Sequence, residues 1–450
     1  MRTAGPLPPS DRRQRPDDAR IAGLDERRPG PIYPPRWILA WHVLRHLLTH
    51  PEYIVRRRKY PFFRLRALLT PLRKGHLYAW RASRLGRHYY GASLRTPRWP
   101  SPAFDRMIAN GGMNVAPGVV GHKHHLDTAI LAITRRCSYM CEHCYDAFNR
   151  ADDDVVPVER WIGVTNHLER RGVGVIILSG GEPMLRYEDL LTILEHSDPQ
   201  LTDIHLHSSG AGVTPARAEE LAGRGLVAAG IGLDFPDPER QDRFRRHPGA
   251  FANAVQALQA FSDAGVFTYT NLCLTREVIM GDGLYRYLDL ARKLRVGVVH
   301  LLEPKPCGRY GSRAPADLLS EGDRDQVLGF FKEVNQAKRY AGHPPVAYHA
   351  HFERPENYGC QMGGVGHLSI DSQGDVNPCV FVPVSFGNIM REDLGVILDR
   401  MRAANPGPRY RECPAVSLSP AIAFHRQQTG RPVVRFGEVQ SEWDQELSRG

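Results

Sequence analysis

CSYMCEHCY, residues 137–145, holds three of the chain's eight cysteines in the spacing Cys-x3-Cys-x2-Cys. Structural zinc normally takes four ligands from paired Cys or His residues, and no second pair lies close in sequence. His143 would be an awkward fourth zinc ligand, because it lies between Cys141 and Cys144 in a short stretch. A 4Fe-4S cluster has four irons, so three thiolates would leave one iron open to a substrate or cofactor. The spacing therefore favours an iron–sulfur cluster over zinc.

The composition of the chain is typical of a soluble globular protein. Its 450 residues suffice for two or three domains, and 42% of them are apolar and 24% charged. Eight cysteines are too sparse for a disulfide scaffold, and residues 1–20 contain no apolar stretch of a secretory signal. The apolar run at 37–48 is shorter than the roughly 20 residues that a bilayer requires. We therefore predict a cytoplasmic protein with reduced thiols and no transmembrane helix.

Most of the positive charge lies in one N-terminal segment. Residues 36–87 contain thirteen Lys or Arg and a single acid, Glu52, in a chain whose net charge is +10. Aromatic residues are interleaved with these basic residues up to residue 90. The mixture predicts a basic helical subdomain, or a peripheral contact of residues 36–90 with the anionic inner face of a membrane. Nucleic acid is not expected as a partner, because no recognised binding motif accompanies the charge.

From about residue 126, short apolar runs alternate with helical patterns. The strand predictions are 127–134, 174–179, 203–208, 228–234, 267–274 and 297–303. One intervening helix is predicted around Trp161, ending at Gly172, and another around Phe251, ending at Gly265. Six strand–helix repeats predict an α/β fold with a parallel sheet, and they are too few to close an eight-stranded barrel. We predict an open, TIM-like partial (β/α)6 barrel with its site at the C-terminal ends of the strands.

The three cysteines follow directly from the first predicted strand, where a loop of that site would carry them. In this placement the chain resembles the radical S-adenosylmethionine (SAM) enzymes, whose Cys-x3-Cys-x2-Cys motif follows the first strand of a partial barrel. The resemblance implies that Cys137, Cys141 and Cys144 hold a 4Fe-4S cluster and that the open iron chelates SAM. It further implies reductive cleavage of SAM to methionine and a 5′-deoxyadenosyl radical that abstracts hydrogen from the substrate. An electron donor such as flavodoxin or ferredoxin is then expected.

Further motifs of that family stand after the next strands. Ser179-Gly180-Gly181-Glu182-Pro183 matches the family's GGE motif, in which glycines allow close approach to SAM and acceptors bind its ammonium group. Ser208-Ser209-Gly210 and Gly232-Leu233-Asp234 follow the third and fourth strands. The serines can instead cap the next helix, and Asp234 can be a structural carboxylate at a strand end. The implied cofactor-binding residues are Gly180, Gly181, Glu182, Ser208, Ser209 and Asp234, and no catalytic side chain is predicted.

A second cysteine pattern lies in the C-terminal part. Residues 360–389 contain Cys-x13-Gly-x4-Cys, which looks like the start of the auxiliary-cluster extension called SPASM or of its shorter form, twitch. HLSIDSQGDVNPC, residues 367–379, is typical of a hairpin that would bring Cys360 and Cys379 to one metal site. Cys413 is the predicted third ligand, and a second auxiliary cluster is not expected. Three possibilities remain for the fourth ligand position of this cluster: Cys307, the substrate, or no ligand at all. Cys273 is expected to lie in the hydrophobic core.

The sequence thus divides into five predicted segments. They are a disordered Pro/Arg-rich tail (1–35), a basic, aromatic helical extension (36–120), a radical SAM partial barrel (121–310), a helical linker (311–355) and an auxiliary-cluster domain (356–450). The leading functional hypothesis is oxidative modification of a peptide or protein side chain. The alternatives are radical modification of a lipid or small metabolite at a membrane surface, and a non-catalytic iron–sulfur scaffold.

Overall fold

The computed structural model describes residues 30–34, 81–91, 94–109, 126–312, 318–357, 359–405, 410 and 412–449. Most of the predicted tail 1–35 and the larger part of the predicted extension 36–120 lie outside these residues. Of the tail, residues 30–34 are described, and they are ordered: the Ile32 backbone exchanges hydrogen bonds with Arg84, and the Tyr33 hydroxyl donates to the Val296 carbonyl at 2.7 Å. The domain boundaries proposed from the sequence therefore stay predictions. Within the described part of the chain, no helix is long and apolar enough to cross a membrane.

The described part of the extension begins with a hairpin. Strand β1 (Ala82–Leu85) pairs antiparallel with β2 (His88–Gly91), and helix α1 (Pro102–Ala109) follows. The sequence predicted helices here, but Gly86 (φ 57°) turns the chain back between two short strands. This stretch of the extension is therefore a hairpin followed by one helix.

Six parallel strands with helices between them form the centre of the molecule. The strands are β3 (Thr128–Thr134), β4 (Val175–Gly180), β5 (Asp203–Ser208), β6 (Leu226–Gly232), β7 (Phe267–Cys273) and β8 (Val298–Leu302). Each pairs in parallel with the next in chain order. The strands are almost continuously buried, as expected of parallel strands that are covered on both faces. The predicted partial barrel is confirmed.

The helices of this unit cover the outer face of the sheet. They are α2 (Val158–Arg170), α3 (Tyr187–Glu195), α4 (Pro215–Gly223), α5 (Pro238–Arg245), α6 (Ala250–Asp263), α7 (Arg276–Ile279) and α8 (Gly283–Lys293). On α2, Trp161, Val164 and Leu168 share one buried face, and the chain leaves the helix at Gly172 with φ 86°. This helix forms where the apolar spacing predicted it.

The inside of the barrel is closed at the N-terminal ends of the strands. Tyr90 and Leu94, from the segment that follows the hairpin turn, pack with residues at the start of β7 and β8. The Tyr90 ring stacks on Phe267 with their centroids 3.8 Å apart. Open space is therefore left toward the opposite, C-terminal ends of the strands.

The C-terminal part adds strands to both edges of the barrel sheet. Its elements are α9 (Glu321–Gln336), β9 (Val346–Ala347), α10 (His349–Phe352), β10 (His367–Ile370), β11 (Val376–Asn377), β12 (Val384–Ser385), α11 (Leu394–Ala404), α12 (Pro414–Ser417), α13 (Ser419–Thr429), β13 (Val434–Arg435) and α14 (Gln440–Arg449). The predicted hairpin is present as the antiparallel pair β10–β11. Strand β10 also pairs in parallel with β3, and β9 pairs with β8. Among the described residues the sheet order is β11-β10-β3-β4-β5-β6-β7-β8-β9.

Candidate active site

One cavity at the C-terminal ends of the barrel strands brings all the cysteines of the chain together. It has a volume of ≈ 340 Å³. We call Cys137, Cys141 and Cys144 the first cysteine set, and Cys360, Cys379 and Cys413 the second cysteine set. Both sets line this cavity, together with Cys273 and Cys307. Residues that are far apart in sequence thus face one cavity.

The first cysteine set lies on a loop that leaves β3 directly. The Tyr139 N–H points at the Cys137 Sγ at 3.4 Å, and the Arg150 guanidinium donates to the carbonyl groups of Cys137 and Tyr139. The Glu142 N–H donates to the Phe244 carbonyl at 2.9 Å, which ties the loop to α5. The loop contains no helix or strand, so these hydrogen bonds fix its position at the mouth of the barrel.

The two glycines of the GGE motif pack against this cysteine loop. The Gly181 N–H donates to the Thr134 carbonyl at 2.7 Å, and the Glu182 N–H donates to the Arg136 carbonyl at 2.8 Å. A Cβ on Gly181 would overlap the Arg136 carbonyl oxygen and lie 2.9 Å from the Cβ of Cys137. Gly180 and Gly181 also line the cavity. In this structure the glycines thus permit close approach of the cysteine loop itself.

We expect Gly181→Ala to displace the cysteine loop, because the new methyl group meets backbone that cannot move away freely. The overpacking should cost roughly 1–3 kcal/mol of unfolding free energy. Denaturation of the apoprotein measures that loss, and iron analysis after reconstitution should show less iron than in the wild type. Gly163→Ala on α2 is the matched control, since its Cβ meets no atom within 4 Å. Equal iron content and stability in the two variants would contradict this packing role.

Glu182 lies behind the cavity wall rather than on it. Its carboxylate accepts hydrogen bonds from the Ser208 hydroxyl (2.8 Å), the Ser209 N–H (2.8 Å), the Ser209 hydroxyl (2.5 Å) and the Met184 N–H (3.1 Å). Burial raises the pKa of this carboxyl group, while the same hydrogen bonds lower it. Ser208 and Ser209 line the cavity, so Glu182 orients the two predicted cofactor-binding serines.

Asp234 lines the cavity but is held by the protein. The Arg245 guanidinium donates to Oδ2 through two nitrogens at 2.7 Å, and the Cys273 N–H donates to Oδ1 at 2.9 Å. The Asp234 side chain is fully buried. This geometry favours the structural alternative for Asp234, and its cofactor-binding role stays a prediction.

The six thiols of the two sets are partly exposed at the cavity, but the surrounding protein still desolvates most of them. Burial raises the pKa of Cys137 to about 11 and that of Cys144 and Cys379 to about 12, and the pKa of Cys141 and Cys360 is raised too. Neighbouring cysteines raise the pKa of several of these thiols further. A coordinating metal reverses this preference because it deprotonates its thiol ligands. The thiols are therefore suited to metal binding rather than to acid–base work.

Both cysteine sets offer the thiol donors that iron–sulfur clusters use. Across the described ranges, no three Cys, His, Asp or Glu side chains are placed to bind one metal ion. Thiols distributed around a cavity fit a larger group, and thiolates are the usual ligands of iron–sulfur clusters. The chemistry of both cysteine sets is thus that of iron–sulfur ligands.

Hydrogen bonding and buried cations surround the second cysteine set. The Gly363 N–H donates to the Pro378 carbonyl at 3.0 Å, which joins the chain before the β10–β11 hairpin to the chain after it. Arg95 forms an ion pair with Glu353, and Cys379 and Cys360 raise the pKa of Arg95. The Lys305 ammonium pairs with Glu303 at 3.0 Å, and Cys413 raises its pKa. These two cations can offset the negative charge of bound thiolates.

Several cavity residues were not identified from the sequence. His207 Nε2 and the Tyr269 hydroxyl are 2.8 Å apart, His300 Nδ1 lies 2.9 Å from Asn271 Oδ1, and His349 Nδ1 lies 2.9 Å from His300 Nε2. Burial lowers the pKa of His207 to about 4 and that of His300 to about 3, so both rings are neutral near pH 7. The sequence does contain a pattern that could have identified such residues. Polar residues stand two positions apart in otherwise apolar strands, as at 205 and 207 and at 269 and 271, so they lie on the same face of the strand.

Two protein-family models match the chain. Residues 131–282 match the model of the radical SAM superfamily. Residues 360–417 match that of SPASM, an iron–sulfur cluster-binding domain. The first cysteine set lies within the first match and the second cysteine set within the second.

Similar proteins cover more than half of the chain. The AdoMet-dependent heme synthase of Nitratidesulfovibrio vulgaris is 26% identical over 286 residues, which span 57% of this chain and 74% of that protein. The PqqA peptide cyclase of Streptomyces rochei is 28% identical over 288 residues, which span 61% and 76%. The structure of Streptococcus suis SuiB bound to the precursor peptide SuiA aligns with a TM-score of 0.51 at 17% identity, over 66% of this chain and 67% of SuiB. The likeness to SuiB concerns the fold alone.

Proposed function

The chain is a radical SAM enzyme with a SPASM auxiliary-cluster domain, and we propose that it oxidatively modifies a peptide or protein side chain. Its cofactors are a 4Fe-4S cluster, SAM and an auxiliary iron–sulfur cluster. The observation that carries the proposal is the single cavity lined by both cysteine sets. A substrate in that cavity would lie between the site of radical formation and an electron acceptor. Because the chain is a radical SAM enzyme, we do not propose the non-catalytic scaffold hypothesis.

We assign the first cluster to the first cysteine set, and SAM to the adjoining wall of the cavity. When bound, these cofactors supply an electron that cleaves SAM and a 5′-deoxyadenosyl radical that removes hydrogen from the substrate. The protein groups bind and orient: Gly180 and Gly181 leave room beside the cysteine loop, and Glu182 fixes the hydroxyls of Ser208 and Ser209.

The oxidative outcome follows from the second cysteine set. After a hydrogen atom leaves the substrate, oxidation requires a second electron to leave as well. We assign the auxiliary cluster to Cys360, Cys379 and Cys413 as the acceptor of that electron. The neutral groups His207, Tyr269 and His300 face the same cavity and can donate to or accept from a polar substrate.

The peptide substrate is supported by a relative. The PqqA peptide cyclase of Streptomyces rochei is 28% identical to this chain over 288 residues, which span 61% of it. A small metabolite is the second candidate, since AdoMet-dependent heme synthases are similarly related to the chain. Most of the basic segment 36–90 lies outside the described residues, so contact with a membrane stays a prediction.

A deuterium transfer experiment tests the substrate class. The reconstituted enzyme is reduced with SAM and with the perdeuterated form of any short peptide that is encoded beside its gene. We expect deuterium in 5′-deoxyadenosine, and by mass spectrometry a peptide product that has lost one carbon-bound deuterium and one further hydrogen or deuterium. Cys144→Ala is the control that should yield neither product. Unlabelled 5′-deoxyadenosine and an unchanged peptide, with turnover stimulated by a small-molecule fraction instead, would overturn the peptide proposal.

A further inference from the structure

A fourth cysteine, Cys307, lies beside the second cysteine set. It follows β8 on the loop at the C-terminal end of the barrel, and only 7% of its surface is exposed. Cys307 lines the same cavity as Cys360, Cys379 and Cys413. Electrostatic interactions link the Cys307 side chain with Cys379 and Cys413 of the second set and with Cys144 of the first. Gly308, the next residue of the chain, lines a further cavity together with Cys379. Cys307 therefore lies between the two cysteine sets, in the neighbourhood of Cys379 and Cys413.

The Cys307 loop is fixed against the loop of the first cysteine set. The Arg309 N–H donates to the Cys144 carbonyl at 3.0 Å, and the Tyr310 N–H donates to the Cys307 carbonyl at 3.1 Å. Gly308 has φ 53°, and a Cβ at this position would overlap the Cys144 carbonyl oxygen. Position 308 has no room for a side chain, and the backbone contacts around it fix the position of Cys307. The position of Cys307 beside Cys144, at the cavity that the second set also lines, is thus built into the fold.

We propose that Cys307 is the fourth protein ligand of the auxiliary cluster, together with Cys360, Cys379 and Cys413. The proposal rests on the auxiliary-cluster site assigned above but not on the identity of the substrate. Four thiolates complete the coordination of a 4Fe-4S cluster, so no iron of the auxiliary cluster stays open to substrate. Such a cluster supplies electron transfer and not a substrate-binding iron.

The charges around the four thiols agree with an anionic, fully coordinated cluster. The Lys305 ammonium lies two residues before Cys307 and pairs with Glu303 at 3.0 Å, and Arg95 pairs with Glu353. Both cations line the same cavity as the four thiols. Beside their carboxylate partners, they would offset part of the negative charge of bound thiolates. The alternative is that Cys307 is a buried free thiol, as cysteines often are.

Iron analysis of full-length variants separates these two alternatives. The background is Cys137→Ala/Cys141→Ala/Cys144→Ala, so that the auxiliary site alone contributes iron. We expect about four irons per chain in this background and also after the addition of Cys273→Ala, the matched control. Adding Cys307→Ala instead should lower the iron content, or leave a reduced cluster whose EPR spectrum changes when 2-mercaptoethanol is added.

Unchanged iron content and an unchanged EPR spectrum in the Cys307→Ala variant, without a response to the added thiol, would overturn the proposal. Where Cys307→Ala fails to fold, Cys307→Val decides by the same criteria, because valine is close to cysteine in volume and cannot bind iron. No substrate is present in these measurements. A failure of peptide modification is therefore distinguishable from a failure of the ligand assignment.

Discussion

Cys141→Ala is expected to abolish the formation of 5′-deoxyadenosine and methionine from SAM. Cys141 lies at the centre of the first cysteine set, and its thiol faces the cavity close to the buried Arg245. Two thiolates cannot hold a cluster that requires three protein ligands and leaves one iron for SAM. The measurement is chromatography of both products after anaerobic reconstitution and reduction.

Cys273→Ala is the matched control for that variant. Cys273 also lines the cavity, but it belongs to strand β7 and to the main hydrophobic core. We expect the control to retain the iron content of the wild type, whereas Cys141→Ala should lose the iron of one cluster, about four per chain. Formation of 5′-deoxyadenosine by Cys141→Ala at the wild-type rate would refute the assignment of the first cysteine set.

Asp234→Asn is expected to lower the free energy of unfolding strongly, which is the second large effect. The variant leaves the buried Arg245 guanidinium without its counter-charge and turns one acceptor of the pair into a donor. Breaking a buried ion pair in this way costs roughly 3–5 kcal/mol. Chemical denaturation of the protein measures this loss. The double variant Asp234→Asn/Arg245→Met should recover part of it, because the unpaired charge is then removed.

A surface ion pair on the same helix serves as the comparison. Glu239 and Arg243 lie 3.7 Å apart on α5 and are mostly exposed, so Glu239→Gln should change the unfolding free energy by less than about 0.5 kcal/mol. A small stability change in Asp234→Asn, combined with weaker SAM binding, would instead favour a cofactor-binding role for Asp234. Isothermal titration with SAM distinguishes these outcomes.

The sequence predicts the barrel well because buried parallel strands carry a strong local signal. The apolar run at 174–179 becomes β4 (Val175–Gly180), since a strand covered on both faces needs apolar side chains at successive positions. The glycines that end the predicted helices adopt positive φ, at Gly172 and Gly265. Strands and helix ends of this kind can therefore be predicted from the local sequence alone.

Long-range pairings were not predictable in the same way. Strand β10 pairs with β3, although the two strands are separated by more than half of the chain. The four residues His367–Ile370 are too few to indicate which strand they pair with. The ties of Ser208 and Ser209 to Glu182 likewise depend on the neighbouring positions of β4 and β5. Sequence motifs thus give the residue types of the site, while the fold decides which of them meet.

Cys307 shows the same limit most clearly. Its spacing from Cys360 carries no motif, so the sequence left it open between a ligand and a buried thiol. The backbone contacts of Gly308 and Arg309 bring Cys307 to Cys144, at the cavity that the second cysteine set also lines. A tertiary arrangement therefore supplies what spacing cannot.

Iron and sulfide analysis of the reconstituted full-length enzyme tests the central claim, that two clusters share one cavity. We predict about eight irons per chain in the wild type and about four after alanine replacement of either the first or the second cysteine set. Of these variants, only the one that retains the first set should form 5′-deoxyadenosine from SAM. About four irons per chain in the wild type, or SAM cleavage that survives loss of the first cysteine set, would contradict the account.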